Sequence, residues 1–379
     1  MSHLFPTYAR WDVTPIKAKG AYLTAKDGKE YLDFTSGISV CNLGHAPENV
    51  KEAVEDQLNQ FWHTSNLFQI ELQEDVAKQL ADASELDLVF FGNSGAEANE
   101  AALKLVRKST GRTKVITFVD SFHGRTFATM AATGQDKIKT GFGPMLESFE
   151  YVPMNDIESL KAAMDDNTAA IMFEVIQGEG GINEGDADFL KEAERLAHEN
   201  ESLVIIDEIQ TGIGRTGKPF AFQHIGLNPD IVSVAKGIAS GFPLGAIIGR
   251  SSLSEAFSAG SHGSTFGGNP VALAAAKETL STIFNDSFLT DVTKKGEKLR
   301  YLLDEALKEE TIFKKLKGKG LMVGIELNEE AGPFIAKARE HNLLILTAGT
   351  NVIRLLPPLN VTEEEIEKAV RVIADILKK

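Results

Sequence analysis

Two polar residues follow apolar, strand-like runs, and their types suit covalent chemistry on a bound ring. Asp207 follows residues 203–206, and Lys236 follows residues 231–235. Most lysines are solvated, so a lysine at the end of a buried strand is unusual. Its amine can bond to an aldehyde, and an aspartate can hold a pyridine nitrogen protonated. Singly, an aspartate after a strand is more often a turn residue, so only the combination indicates a site.

A third segment could hold a phosphate group. Residues 88–91 run into Ser94, Gly95 and Ala96, small residues that open a helical pattern. Free backbone N–H groups and the helix dipole attract anions at such a helix start. An ordinary serine or asparagine cap explains this segment equally well when it is taken alone.

The glycine pattern at Gly212, Gly214 and Gly217 resembles two nucleotide-binding fingerprints. A dinucleotide fingerprint turns from a strand directly into a helix, whereas Pro219 and an aromatic-rich stretch follow here. A P-loop needs Ser or Thr after its lysine, and Pro219 follows Lys218. We therefore expect a flexible glycine-rich loop, and a nicotinamide dehydrogenase would depend on these glycines alone.

The elements that position these residues alternate along the chain. Short apolar runs predict buried strands at residues 88–91, 114–118, 169–173, 203–206, 231–235 and 245–248. Helical periodicity covers residues 97–108, 157–164 and 188–199. This alternation predicts an α/β fold with a mostly parallel sheet covered by helices.

The two ends of the chain predict further units. Asp27-Gly28 between short alternating runs indicates a hairpin. Asn269 and Pro270 are a cap and a first helical residue, which predict a linking helix to about residue 284. We divide the chain into an N-terminal segment, 1–48, that contributes to the small domain; a large domain, 49–270; and the linking helix with a small α/β domain, 271–379.

Composition excludes several classes of protein. The net charge of -15 over 379 residues repels nucleic acid. The single cysteine, Cys41, cannot form an internal disulfide, and no Cys and His spacing predicts a metal site. No apolar run approaches the roughly 20 residues that span a bilayer, and the N-terminus lacks a signal-peptide pattern. We expect a cytoplasmic protein without membrane contact.

Six segments in this order resemble the class-III pyridoxal-phosphate-dependent aminotransferases, and the resemblance covers essentially the whole chain. They are Ser94-Gly95-Ala96-Glu97-Ala98-Asn99, Phe122-His123-Gly124-Arg125-Thr126, Gln177-Gly178-Glu179-Gly180, Asp207-Glu208-Ile209-Gln210-Thr211-Gly212, Lys236, and Ser264-Thr265-Phe266-Gly267-Gly268-Asn269-Pro270. The resemblance implies pyridoxal phosphate as cofactor. It also implies a fold-type I transferase, with a mostly parallel seven-stranded sheet in the large domain and a smaller α/β domain.

The resemblance implies a role for each cofactor-binding residue. Lys236 would bond to the cofactor aldehyde and later carry the proton of the reaction, and Asp207 would pair with the ring nitrogen. The other implied contacts are Ser94, Gly95 and Ala96 with the phosphate, Phe122 and Ile209 with the two ring faces, Glu208 beside Asp207, Gln210 with the ring hydroxyl, and Thr265 with the phosphate in the opposite subunit. A contact from the opposite subunit implies a homodimer.

Substrate-binding residues follow from the same resemblance. Arg125 would bind the carboxylate far from the reacting amine, with Ser264 close to the substrate. Arg354 would bind the α-carboxylate of glutamate, and Glu179 would neutralise Arg354 when no glutamate is present. Either arginine could instead be a surface ion-pair residue.

Within the family, the resemblance implies transfer of the δ-amino group of N-acetylornithine to 2-oxoglutarate, a step of arginine biosynthesis. Ornithine aminotransferases carry a tyrosine where this chain has Ile38, which argues against free ornithine. The 4-aminobutyrate aminotransferases also carry isoleucine there and remain an alternative. Succinylated ω-amines remain open as substrates, as does an aminomutase of the same fold, although Glu179 and Arg354 argue against the aminomutase.

Overall fold

The computed structural model describes residues 3–378, and its strands form four sheets. The strands are β1 (Pro15–Lys19), β2 (Tyr22–Ala25), β3 (Glu30–Asp33), β4 (Leu88–Gly92), β5 (Lys114–Phe118), β6 (Phe149–Val152), β7 (Thr168–Phe173), β8 (Ile176–Gln177), β9 (Asn183–Glu184), β10 (Leu203–Asp207), β11 (Ile231–Val234), β12 (Gly245–Gly249), β13 (Phe313–Lys319), β14 (Met322–Leu327), β15 (Leu343–Leu344), β16 (Leu346–Ala348) and β17 (Val352–Leu355).

Helices cover these sheets. They are α1 (Ser36–Ser39), which is a turn with non-helical backbone inside, α2 (Glu48–Leu58), α3 (Glu71–Ser84), α4 (Gly95–Thr110), α5 (Phe127–Ala132), α6 (Ile157–Ala163), α7 (Ala187–Glu199), α8 (Pro270–Ile283), α9 (Asp286–Leu307), α10 (Gly332–Glu340) and α11 (Glu363–Leu377). None of the helices in residues 3–378 is long and apolar enough to cross a membrane.

The largest sheet has seven strands in the order β4-β12-β11-β10-β7-β5-β6. All neighbouring pairs are parallel except those made by β12, which runs antiparallel to β11 and β4. The prediction of a mostly parallel seven-stranded sheet is confirmed. Its edge strand β6 was not predicted from the sequence, because its partly exposed residues do not form a continuous apolar run.

Helix α4 shows how the sequence fixes an element behind the site. The Ser94 side chain accepts a hydrogen bond from the Glu97 backbone N–H at 3.2 Å, and Gly111 ends the helix with φ of 70°. Buried residues such as Ala101 and Leu105 recur with helical spacing and pack on the sheet. Burying one leucine contributes about 2 kcal/mol. The start of α4 is therefore held rigidly at the edge of the cavity described below.

The linking helix also forms as its sequence indicates. Asn269 accepts a hydrogen bond from the Val271 backbone N–H at 3.0 Å, and Pro270 occupies the first helical position. Helix α8 then packs against α2, α3 and the first turn after β11. The predicted cap, proline and helix are confirmed.

Two four-stranded sheets lie outside the central one, in the orders β1-β2-β3-β15 and β13-β14-β17-β16. The predicted hairpin joins β2 to β3, with Gly28 at φ of 84° in its turn. Strand β15 pairs with β3 in parallel, so the N-terminal segment shares a sheet with the C-terminal part of the chain. The division into three domains stays a prediction, and residues 1, 2 and 379 of those ranges lie outside the described residues.

The glycine pattern at 212–217 forms a buried joint, which differs from the expected flexible loop. Arg215 within it is fully buried. Its guanidinium donates to Ser39 Oγ and Asn42 Oδ1 and to the backbone carbonyls of Leu321 and Pro357, at 2.6–3.1 Å. Burial without a carboxylate lowers the pKa of Arg215 to about 9. The loop therefore ties the N-terminal segment and the C-terminal sheets to the large sheet.

Candidate active site

A cavity of about 440 Å³ lies at the carboxyl ends of the parallel strands, where ligands bind in open α/β sheets. Most of the site residues predicted from the sequence line it. These are Ser94, Gly95, Ala96, Phe122, Arg125, Glu179, Asp207, Ile209, Gln210 and Lys236. The structure thus brings together residues that lie as much as 142 positions apart, from Ser94 to Lys236.

Asp207, the last residue of β10, is 2% exposed. One of its oxygens lies 2.7 Å from His123 Nδ1 and accepts from Asn99 Nδ2 at 2.8 Å, while the other accepts from the Ile209 backbone N–H at 3.0 Å. Burial lowers the pKa of His123, but the hydrogen bond and charge of Asp207 outweigh it, so the net shift is upward. These contacts fix the direction of the Asp207 carboxylate.

Lys236 is the first residue of the short turn, Lys236–Ala239, that follows β11. Its backbone adopts φ of 48°, a conformation that residues other than glycine rarely adopt and that is often found at functional sites. Burial lowers its pKa, and the negative charge of Glu179 opposes that shift only in part. The arrangement therefore favours a neutral amine, the form that attacks an aldehyde.

The start of α4 also lines the cavity, through Gly95 and Ala96. Gly95 packs so closely on Ile209 that a Cβ there would lie 2.7 Å from Ile209 Cδ1. A side chain at Gly95 would therefore displace Ile209 from its place in the cavity wall. Phe122 lines another side, and the Arg125 Cζ atom lies 5.8 Å from the centre of its ring.

Glu179 and Arg354 form an ion pair beside the cavity. Arg354 Nη1 lies 2.7 Å from Glu179 Oε1, and it also donates to the Gly178 carbonyl at 2.8 Å and to Gln210 Oε1 at 3.0 Å. Burial raises the pKa of Glu179, but the charge and hydrogen bonds of Arg354 outweigh it and lower the net value. Glu179 reaches the cavity surface, whereas Arg354 lies behind it and is 2% exposed.

Besides Arg354, three predicted residues do not line this cavity within one chain. Glu208 follows Asp207, but its carboxylate accepts from the Thr211 hydroxyl at 2.5 Å and the Phe222 backbone N–H at 2.9 Å, away from the cavity. Ser264 Oγ accepts from Asn93 Nδ2 at 3.1 Å, and Asn93 itself lines the cavity. Thr265 is exposed.

Two residues without a predicted role belong to the site. His123 orients Asp207, and Glu174 lines the cavity one position after β7. Burial and the charge of Asp207 raise the pKa of Glu174 to about 7. His123 lies inside a quoted motif, so its contact was within reach of the sequence. Glu174 had a weaker signal, since it is simply a polar residue after an apolar run.

These groups fit pyridoxal phosphate. The cavity offers one lysine amine with a lowered pKa, a carboxylate aligned by a histidine, and the capped start of a 16-residue helix for a phosphate. Fold and cavity together define the class as pyridoxal-phosphate-dependent transferases.

Comparison with known families gives the same answer. The sequence profile of the family described as Aminotransferase class-III matches residues 7–377. The chain belongs to the class-III aminotransferases, which are pyridoxal-phosphate-dependent transaminases.

Two close relatives carry the same name. The acetylornithine aminotransferase of Bacillus subtilis is 57% identical over 371 residues, covering 98% of this chain and 96% of the relative. That of Halalkalibacterium halodurans is 59% identical, covering 100% of this chain and 98% of the relative.

Solved structures span two activities. N-acetylornithine aminotransferase from Stenotrophomonas maltophilia matches with 33% identity and a TM-score of 0.86, covering 97% of this chain and 96% of that one. Ornithine aminotransferase from Toxoplasma gondii, with partial occupancy of PLP at its active site, matches with 32% identity and a TM-score of 0.94, covering 99% and 92%. Because both enzymes share the fold, the fold alone does not separate their substrates.

Proposed function

We propose that this chain transfers the δ-amino group of N-acetylornithine to 2-oxoglutarate, giving N-acetylglutamate 5-semialdehyde and glutamate in arginine biosynthesis. Full-length relatives with more than half of their residues identical carry that activity in their names. The structural observation that carries the proposal is the Glu179–Arg354 pair at the cavity wall, because a site for two different amino donors needs an arginine that can be covered and uncovered.

Pyridoxal phosphate, when bound, supplies an aldehyde that accepts the amino group and a ring that stabilises negative charge on the substrate carbon. Lys236 would hold the cofactor and then move the proton, for which its lowered pKa suits it. Asp207, oriented by His123, would keep the ring nitrogen protonated. Ser94, Gly95 and Ala96 would hold the phosphate. Glu208 would support the end of β10 from the side that faces away from the cavity.

The substrate residues divide the two half-reactions between them. Among residues 3–378, the Arg125 side chain makes no ion pair or hydrogen bond and lies 5.8 Å from the centre of the Phe122 ring, so its guanidinium is free for a carboxylate. It would bind the α-carboxylate of N-acetylornithine, far from the δ-amine, and the side-chain carboxylate of glutamate. Glu179 would turn away from Arg354 when glutamate binds and return when N-acetylornithine binds.

Ile38 supports the acylated substrate over free ornithine. It lies in the α1 turn at φ of 66°, two residues before Val40, which lines the cavity. An isoleucine offers no hydrogen-bond donor or acceptor to a free α-amino group, whereas an acetylated nitrogen carries no charge to be compensated. The alternative activity on 4-aminobutyrate fits Ile38 equally.

We also propose a homodimer that shares its sites. The segment Trp62–Phe68 and the neighbouring Phe266 present large exposed apolar side chains, with Leu67 at 93% exposure. Asn66 bonds to the carbonyls of Ser264 and Gly267, so this segment is continuous with the exposed Thr265. A partner that covered this surface would receive Thr265 at its own phosphate site. We place the assembly in the cytoplasm, with domains at 1–48, 49–270 and 271–379.

Adding N-acetylornithine, ornithine and 4-aminobutyrate separately to the cofactor-loaded enzyme tests the substrate. The visible absorbance of the bound cofactor is followed in each titration, and glutamate formation from 2-oxoglutarate is measured in parallel. We expect N-acetylornithine to give the highest kcat/KM. Preference for 4-aminobutyrate would transfer the chain to that activity and leave the cofactor chemistry intact.

A further inference from the structure

Glu174 occupies the strand end next to Asp207. Strands β7 and β10 are parallel neighbours with Phe173 opposite Ile206, so the two carboxylates follow at adjacent strand ends. Glu174 is 5% exposed and lines the same cavity as Lys236. Two buried carboxylates side by side repel each other, which makes this a costly place for an acid.

The contacts of Glu174 are made to two backbone N–H groups. Its Oε2 accepts from the Phe122 N–H and its Oε1 from the Gly178 N–H, each at 3.1 Å. These two N–H groups belong to segments that are 56 residues apart in the sequence. The two carboxylate oxygens let one side chain accept from both peptides at once, one oxygen for each N–H.

Gly178 connects this carboxylate to the substrate pair. Its carbonyl accepts from Arg354 Nη1 at 2.8 Å. Its Cα packs on Gln210, where a Cβ would lie 2.4 Å from the Gln210 side chain. Glu174 is thus connected to Arg354 through the Gly178 peptide. Through its other oxygen it holds the backbone of Phe122, the residue that would stack on the cofactor ring.

We propose that Glu174 is a positioning residue whose carboxylate clamps the Phe122 and Gly178 peptides. The clamp fixes the position of Phe122, which would stack on the cofactor ring, relative to the Glu179–Arg354 pair. The inference deepens the proposed function, since it assigns the group that holds both the cofactor side and the substrate side. Losing the clamp should weaken the binding of both substrates more than it lowers the stability of the folded protein.

Glu174→Gln tests the clamp with almost no change in volume. The amide keeps one acceptor oxygen but presents an NH₂ group to the other backbone N–H, so one peptide loses its partner. We expect KM for 2-oxoglutarate and for N-acetylornithine to rise about tenfold, since about tenfold corresponds to one lost hydrogen bond to a charged group. We expect kcat to change less, and the visible absorbance maximum of the bound cofactor to shift as Phe122 moves.

Asp230→Asn is the matched control. Asp230 is also a buried carboxylate that accepts from a backbone N–H, that of Val204 at 2.9 Å, but it lies before β11 at the opposite end of the same sheet. This variant should lower the thermal unfolding temperature without changing either KM or the absorbance maximum. Glu174→Asp keeps the charge but shortens the reach, and should fall between wild type and Glu174→Gln.

The outcomes separate cleanly. Unchanged KM values and spectrum in Glu174→Gln, or the same changes in Asp230→Asn, would overturn the clamp. If Glu174→Gln does not fold, Glu174→Asp decides by the same two readouts. If wild type prefers a different amine, the proposed substrate fails, yet the clamp is still judged by KM for 2-oxoglutarate and by the spectrum.

Discussion

The floor and the rim of the cavity are built differently. At the floor, Asp207 and Glu174 are almost fully buried, and their hydrogen bonds are made within one chain. At the rim, Arg125 and Thr265 are exposed, and Arg125 has no carboxylate partner in residues 3–378. A single chain therefore assembles the buried carboxylates proposed for cofactor chemistry, whereas the proposed roles of Arg125 and Thr265 need a substrate and a second subunit.

The difference teaches where variation is tolerated. Floor residues sit at strand ends of a rigid sheet, so an error in their position affects the chemical step directly. Rim residues project from turns and loops and adapt to what binds. Changes at Lys236 and Asp207, which would touch the cofactor, should lower kcat, and changes at the rim should alter KM or assembly. Glu174 belongs to the floor but acts through the two peptides it holds, so its change should alter KM.

Removing the floor amine should have the largest effect. In Lys236→Ala, we expect turnover to fall by about 10⁴-fold or more, because both the covalent attachment and the proton carrier are lost. Steady-state rates and the visible spectrum of the cofactor-loaded enzyme measure this. The exposed Lys78→Ala is the control and should keep wild-type turnover. A Lys236→Ala rate within a hundredfold of wild type would refute the assigned role.

Asp207→Asn should have the next largest effect. The amide no longer compensates a protonated ring nitrogen and leaves His123 without its charged partner, so we expect kcat to fall by about 10²–10³-fold. Glu208→Gln changes the neighbouring carboxylate, which faces away from the cavity. The factor by which it lowers kcat should be at least about ten times smaller than that of Asp207→Asn. Equal losses in the two variants would contradict the difference between the cavity side and the back of the strand end.

At the rim, Leu67→Asp should break the assembly. A charge in a buried apolar interface is costly, so we expect the dimer to dissociate at about tenfold or higher protein concentration than wild type does, with activity falling alongside. Sedimentation over a range of concentrations measures it. Tyr301→Asp changes a residue on α9 that is exposed to 65% and should leave the dimer intact.

Glu179→Ala should separate the two half-reactions. Without Glu179, Arg354 keeps an uncompensated charge in the N-acetylornithine half-reaction but is ready for glutamate. We expect kcat/KM for N-acetylornithine to fall about tenfold relative to that for glutamate, about 1.4 kcal/mol. Stopped-flow measurement of each half-reaction gives the ratio, and equal losses in both would refute the alternation of Glu179.

The smallest effect should come from a pair outside the cavity. His45 Nε2 lies 2.9 Å from Asp33 Oδ2, and hydrogen bonds to Asp33 and Cys41 raise the His45 pKa to about 10. Since the folded pKa is raised, the stabilisation by the charged ring is complete below its ordinary value of 6.5 and is lost as pH rises towards 10.

His45→Gln removes this charge and keeps a hydrogen-bonding side chain. We expect its unfolding temperature at pH 6 to be lower than that of wild type by roughly 2 °C, with the gap closing as pH approaches 10 and kcat unchanged. Calorimetry across this pH range measures the gap. A gap that does not depend on pH would show that the charge contributes nothing.

The sequence predicted the central sheet well because its strands are buried on both faces and read as continuous apolar runs. Strand β5 begins and ends at the predicted residues, and β10 extends the predicted run by Asp207 alone. Strand β6 was missed because it lies at the edge, where burial no longer dictates the pattern. Local composition therefore predicts elements where the environment is uniform.

Residue partnerships were harder to predict than elements. The contact of His123 with Asp207 spans 84 positions, and that of Glu174 with Phe122 spans 52. Nothing in the local sequence distinguishes Glu174 from a capping residue. The glycine pattern around Arg215 misled in another way, because its composition predicted a flexible loop. In the structure four acceptors distant in sequence surround the guanidinium and make the segment a buried joint.

The buried guanidinium of Arg215 limits where this chain could be divided into separately produced fragments. Two of its acceptors, the carbonyls of Leu321 and Pro357, come from beyond residue 270, and two come from before residue 48. A fragment that ends at residue 270 would expose an arginine stripped of half its acceptors. Working halves of this enzyme would therefore have to be produced together and reassembled, rather than purified as independent pieces.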